Sequence, residues 1–74
     1  MITRVKLEYE DGFTKSVDGM RKYAARREMK RPINATIFAT TPKEQFSQQE
    51  LMYLHKQVIP SLHPVRGVWS VEVK

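Results

Sequence analysis

The stretch TRVKLEYEDGF, residues 3–13, determines how the fold begins. Three apolar residues alternate with charged ones along it, which is the pattern of a β-strand with one buried face: Val5, Leu7 and Tyr9. Asp11-Gly12 then indicates a tight turn. The stretch therefore predicts a first strand over Thr3–Glu10, followed by a hairpin.

The register of this hairpin follows from its loop length. A two-residue loop would turn the apolar residues of the second strand toward the charged face. A three-residue loop, Glu10–Gly12, places Phe13 opposite Tyr9, and it places Val17 opposite Val5. Such a loop requires a left-handed conformation at its last position, where glycine is favoured. We therefore predict the three-residue loop.

Two helices and two further strands are expected after the hairpin. Asp18 can cap a helix that begins at Met20 and ends near Met29 or Lys30, before Pro32. The capping box Ser47–Glu50 predicts a second helix. This second helix is expected over 48–58 and is ended by Pro60. Its core stripe consists of Leu51, Leu54, Val58 and Ile59. The two further strands are expected over 33–40 and 65–74.

These elements predict an α+β protein with the order ββαβαβ. We expect one domain, residues 1–74, with a four-stranded mixed sheet and two helices packed on one face. The unit formed by the third strand, the second helix and the fourth strand should be a right-handed crossover if those two strands are parallel neighbours. The sequence leaves the strand order and the formation of a homodimer open.

The net charge of the protein lies in one segment. The stretch RKYAARREMKR, residues 21–31, contains one acid, Glu28, and six basic residues: Arg21, Lys22, Arg26, Arg27, Lys30 and Arg31. The segment carries a formal +5, which equals the net charge of the whole chain. On a helix, Lys22, Arg26 and Lys30 would form a row of like charges that repel one another. We interpret this row, with the other three cations, as a surface that binds an anionic partner.

The sequence offers little support for catalysis, metal binding or a cofactor. The two histidines, His55 and His63, have no carboxylate at ligand spacing and no cysteine is present, so no metal site is expected. No serine lies in a nucleophile motif, and the three glycines are isolated, so there is no glycine-rich phosphate loop. We expect a protein that is not an enzyme and has no catalytic residues.

Two binding functions fit this sequence. The first is an intracellular, cytoplasmic module whose basic first helix contacts nucleic-acid phosphates with little sequence specificity. The second is a protein-binding inhibitor or adaptor that docks on an acidic patch of a larger enzyme or nucleoprotein complex, in the manner of accessory proteins of phages and mobile elements. No apolar run is long enough for a membrane span or a secretion signal, so no membrane partner is expected.

Overall fold

A computed structural model describes all residues from Met1 to Lys74, and its centre is one four-stranded mixed sheet. The sheet order is β2-β1-β3-β4. β1 pairs antiparallel with both β2 and β3, whereas β3 and β4 are parallel. The α+β class and the mixed sheet are therefore as predicted, and the strands are β1 (Ile2–Glu8), β2 (Thr14–Asp18), β3 (Asn34–Ala39) and β4 (Val68–Val73).

The predicted hairpin register is confirmed. Val5 lies opposite Val17, and the amide of Tyr9 donates to the carbonyl of Phe13 at 2.9 Å. Gly12, the last residue of the three-residue loop, has a φ of +90°. The apolar alternation of β1 and the glycine in the loop select the same register, because a slip by one residue would reverse the faces of β2.

The helix α1 follows β3 and is the only helix longer than one turn. It consists of an α-helical part, Gln48–Tyr53, a π-helical turn, Leu54–Val58, and a last turn, Ile59–Ser61. The predicted capping box starts it: the Ser47 hydroxyl accepts from the amide of Glu50 at 3.2 Å, and the Glu50 carboxylate accepts from the amide of Ser47 at 2.8 Å. A short 3-10 turn, Lys43–Gln45, precedes it.

The expectation that Pro60 ends this helix is wrong, since the helix continues to Ser61. In a regular α-helix the ring of a proline collides with the carbonyl four residues earlier. Here the π-helical turn widens the helix directly before Pro60, and the amide of Ile59 donates to the carbonyl of Leu54, five residues back. The widened turn accommodates the ring, so the helix passes through the proline.

The core lies between one face of the sheet and α1. Val5, Leu7 and Ile37 from the sheet are fully buried against Leu54 and Val58 from the helix. Leu51 is 39% exposed, so its assignment to the core stripe is wrong. The opposite face of the sheet carries the charged residues Arg4, Lys6 and Glu8 of β1, which are exposed.

The predicted first helix does not form. Residues 19–33 contain no helix, and their only regular feature is a two-residue turn closed by paired hydrogen bonds between Arg27 and Lys30, each 2.8 Å. The element order is therefore ββ, an irregular segment, β, α, β. The predicted order ββαβαβ with two helices is wrong, and the basic residues lie in a loop.

Candidate functional site

The basic loop, which we define as residues 19–33, is held by side chains from distant parts of the chain. The phenol of Tyr53 donates to the carbonyl of Arg21 at 2.6 Å, and the phenol of Tyr9 donates to the carbonyl of Ala25. The carbonyls of Tyr23 and Ala24 accept from Gln57 and Lys15 at 3.1 and 2.9 Å. In a helix these carbonyls would bond to amides four residues later, and the side-chain donors replace those bonds.

The three tyrosines act in this arrangement as neutral phenols. Burial raises the pKa of Tyr53 to about 12, with a smaller contribution from the neighbouring Tyr23. Burial likewise raises the pKa of Tyr23, whose hydroxyl lies 3.0 Å from the hydroxyl of Ser61 on α1. A neutral phenol is a hydrogen-bond donor, so the loop remains anchored to α1 and the sheet throughout the neutral pH range.

The tip of the basic loop has an unusual backbone conformation. Glu28 and Met29 have φ values of +50° and +67°, in the left-handed region. Two consecutive left-handed residues between paired hydrogen bonds form a turn of the type that normally contains Asn-Gly. Each non-glycine residue in this region costs on the order of 1 kcal/mol or more. The turn brings the side chains of Lys30 and Arg31 back beside Arg26.

The structure separates the six basic residues that the sequence analysis assigned to one surface. Arg26, Lys30 and Arg31 line a common open cavity of about 440 Å³, and Lys22 lies in a different depression beside Lys56. Arg27 points toward the first hairpin, and the side chain of Arg21 is exposed. The predicted row of Lys22, Arg26 and Lys30 does not exist, because it required a helix.

His63 joins the three clustered cations, and sequence analysis did not assign it to this surface. Its amide donates to the carbonyl of Pro32 at 2.8 Å, and the amide of Val68 donates to the carbonyl of Ile33 at 3.0 Å. These two bonds hold the segment between α1 and β4 against the end of the basic loop. His63 lies near the three cations because of the path of the chain from α1 to β4, so no local sequence pattern indicates that it belongs to this surface.

The imidazole of His63 has a defined orientation. Its Nδ1 accepts hydrogen bonds from the amides of Val65 and Arg66 at 3.1 and 3.0 Å. The ring hydrogen is therefore on Nε2, which is a donor. Gly67 makes this tight loop possible, because a Cβ there would lie 2.5 Å from the carbonyl oxygen of His63.

The cavity, which we call the basic cavity, is lined by Arg26, Lys30, Arg31, His63, Glu10, Met29 and Pro64. None of the three cations forms an ion pair within 4.0 Å. The single carboxylate in the lining, Glu10, is paired with the guanidinium of Arg66. Two guanidinium groups and one ammonium group therefore share a concave surface without an internal counter-ion.

Arg27 has a structural contact instead. Its Nη1 lies 2.8 Å from Oδ2 of Asp11, and its guanidinium carbon lies 4.0 Å from the centre of the Phe13 ring. The hydrogen bond from Arg27 is the main cause that lowers the pKa of Asp11. This residue connects the basic loop to the first hairpin and does not line the basic cavity.

No group of three or more histidine, cysteine, aspartate or glutamate side chains is placed to hold a metal ion. The one long helix lacks the length and apolar composition that crossing a membrane requires. Comparison with known protein families, with characterised proteins and with solved structures finds no match for this chain.

Proposed function

We propose that the protein binds the phosphate backbone of nucleic acid through the basic cavity. The observation that carries this proposal is the convergence of Arg26, Lys30 and Arg31 on one concave surface without an acidic partner. Guanidinium groups form paired hydrogen bonds with phosphate oxygens, and an ammonium group adds a third positive charge. The Nε2–H of His63, which also lines the cavity, adds a further hydrogen-bond donor.

Phosphate contacts of this kind carry little sequence information. Arginine and lysine on the backbone position a protein, whereas specificity requires contacts with base edges. The basic cavity contains no Phe, Tyr or Trp side chain that could stack on a base. We therefore propose a binding module with little sequence preference. The predictions that it has no catalytic activity and acts in the cytoplasm come from the sequence, and we keep them as part of the proposal.

The test is the salt dependence of binding to labelled duplex and single-stranded DNA. The site variant replaces Arg26, Lys30 and Arg31 with Gln. The control variant replaces Lys6, Lys43 and Lys74, which lie outside the basic cavity, with Gln, so that both variants lose three charges. Three lost phosphate contacts should flatten the log–log slope on duplex DNA by about 2.7.

The control variant should bind with a slope close to that of the wild type, because its charges are distant from the bound phosphates. Equal slopes for the wild type and the site variant would contradict the proposal. Equal losses in both variants would indicate attraction by net charge alone and would also contradict a defined site. Circular dichroism would show that both variants remain folded.

A second observation favours the alternative function, a protein-binding adaptor or inhibitor. Met20 and Met52 are 40% and 44% exposed and lie with Tyr53 in a depression of about 470 Å³, next to Lys22 and Lys56. Flexible methionine side chains beside cations suit an acidic partner that presents apolar anchors. Replacement of both methionines with Gln should abolish capture of such a partner from nuclease-treated lysate and leave DNA binding unchanged.

A further inference from the structure

The two edges of the sheet differ in how they are protected from pairing with another strand. β2 forms one edge, and its Lys15 lies on the helix-side face, where its ammonium group donates to the carbonyl of Ala24 at 2.9 Å. An inward-pointing charge on an edge strand prevents an additional strand from pairing. β4 forms the other edge and has only Trp69, Val71 and Val73 on that face.

The outer edge of β4 presents unpaired backbone groups. The amide of Val68 donates to the carbonyl of Ile33, directly before β3, at 3.0 Å, and the amide of Lys74 donates to the carbonyl of Ala39 on β3 at 2.9 Å. In a parallel ladder every second residue bonds to the neighbouring strand. The amides and carbonyls of Trp69, Val71 and Val73 therefore point outward. Val73 is also 53% exposed, although its side chain lies on the helix-side face.

β4 also lines a groove. Pro42, Lys43 and Glu44 lie across from Trp69 and Val71, and together they line a cavity of about 310 Å³. The ammonium group of Lys43 lies 5.5 Å from the centre of the Trp69 ring. An additional strand at this edge would cover Trp69 and Val73 from the side.

We infer that β4 pairs with the β4 strand of a second copy of this chain in an antiparallel dimer. A two-fold axis at Val71 places Trp69 opposite Val73 of the second copy. The outward amides of these three positions then form hydrogen bonds across the axis. In an antiparallel ladder every second opposed pair exchanges both bonds, and here these are the pairs whose backbone groups point outward. The two sheets become one continuous sheet of eight strands, from four in each copy.

The choice of a second copy as the occupant follows from the complementarity of the strand with itself. In this register the apolar residues on the helix-side face of one copy lie opposite apolar residues of the other copy. On the other face Ser70 lies opposite Glu72 of the second copy, so no like charges are directly opposed. The two subunits also carry +5 each, so their long-range repulsion should weaken as salt is added. This dependence is opposite to that of phosphate binding.

One six-residue strand from each copy forms a small interface. Interfaces at the low end of the size range are transient, so we expect reversible dimerisation with a Kd on the order of micromolar. Sedimentation velocity from micromolar to near-millimolar concentration, at moderate and high salt, measures it directly. A monomer over this whole range would overturn the inference.

Two charge variants at one exposed position test the partner and the register together. Ser70→Lys places a lysine opposite Glu72 of the second copy, at two symmetry-related positions, and Ser70→Glu places like charges there. Cross-strand pairs of this kind should change the Kd by roughly 2- to 30-fold in opposite directions. A dimer that both variants leave unchanged would overturn the pairing of β4 with itself.

A third variant tests the protection of the edge. Val73→Lys gives β4 the inward-facing charge that β2 has in Lys15, and it should abolish the dimer. Val65→Lys is the matched control, because Val65 is 86% exposed and lies outside the strand. A dimer that survives Val73→Lys, or that Val65→Lys disrupts equally, would contradict the assignment to the β4 edge.

Discussion

The guanidinium of Arg27 lies 2.8 Å from the carboxylate of Asp11, and this ion pair joins the basic loop to the first hairpin. The adjacent Arg26 has no ion pair within 4.0 Å and lines the basic cavity. Two neighbouring arginines thus differ in role: one connects two segments of the fold, and the other leaves its charge available to a partner.

Arg26→Gln and Arg27→Gln should therefore affect different properties, DNA binding and stability respectively. Arg26→Gln should weaken DNA binding and leave the melting temperature nearly unchanged. Arg27→Gln should lower the melting temperature, because Asp11 and Phe13 lose their contact, and should affect DNA binding less. Both variants have the same net charge, so each serves as the control for the other. Equal losses of DNA affinity would contradict the division of roles.

Met29→Gly tests whether the tip of the basic loop is a turn. Met29 has a φ of +67°, which glycine adopts without a steric cost, so the variant should be more stable by about 0.5–1 kcal/mol. If residues 20–30 were helical, the same change would destabilise the protein by about 1 kcal/mol. Urea denaturation measures the sign of the change.

Met29→Ala is the matched control for this prediction. Alanine favours a helix but has a Cβ, which the left-handed region disfavours. If the segment forms a turn, the Gly variant should have a larger free energy of unfolding than the Ala variant. If the segment is helical, the order should be reversed. The reverse order would show that the basic segment is helical in solution.

Leu54→Ala should destabilise the protein by about 2–5 kcal/mol, because Leu54 is 3% exposed in the core and its truncation leaves a cavity. Leu51→Ala removes the same atoms three residues earlier, where the side chain is 39% exposed, and should cost much less. Thermal or urea denaturation of both variants measures the difference. Equal losses would indicate that α1 packs through a different face.

Glu50 should make the protein sensitive to acid. Its carboxylate accepts from the amides of Ser47 and Ile2 at 2.8 and 2.9 Å, and the bond from Ser47 is the main cause that lowers its pKa below the ordinary value of 4.5. Because folding lowers this pKa, the carboxylate stabilises the fold at pH values above the ordinary pKa. The stabilisation is lost as the pH falls through the folded-state pKa.

Urea titrations between neutral pH and pH 3 would measure this effect. The free energy of unfolding of Glu50→Gln should change less with pH below about 4.5 than that of the wild type. Glu44→Gln, at an exposed position in the preceding 3-10 turn, is the control and should retain the wild-type dependence. An unchanged pH dependence in Glu50→Gln would contradict the role of this carboxylate.

Local sequence patterns predicted several parts of the fold. The alternation in β1 and the glycine at position 12 determined the hairpin register, because period-two burial and a left-handed turn each allow only one alignment. The capping box of Ser47 and Glu50 located the start of α1, since both hydrogen bonds join residues three apart. In each case the deciding contacts lie within a few residues.

The sequence also showed where the net charge lies, and this charge indicated the class of partner that we propose. It did not determine which cations act together. Arg26, Lys30 and Arg31 meet His63 only because the segment before β4 bonds to Pro32 and Ile33. Spacing along an assumed helix grouped Lys22 with Arg26 and Lys30. Because the helix is absent, Lys22 lies in a different depression, whereas Arg26 and Lys30 line the same cavity.

The conformation of the basic loop was decided by tertiary structure. Residues 20–30 have good helix propensity, but propensity contributes only fractions of a kcal/mol per residue. Tyr9, Lys15, Tyr53 and Gln57 offer hydrogen bonds to the carbonyls of the loop, and Tyr23 packs against the core. These donors lie between 9 and 34 residues away in the chain, so no local pattern records them. Local periodicity determined the strands and the start of α1, whereas contacts between distant residues determined the loop, the strand order and the grouping of the charges.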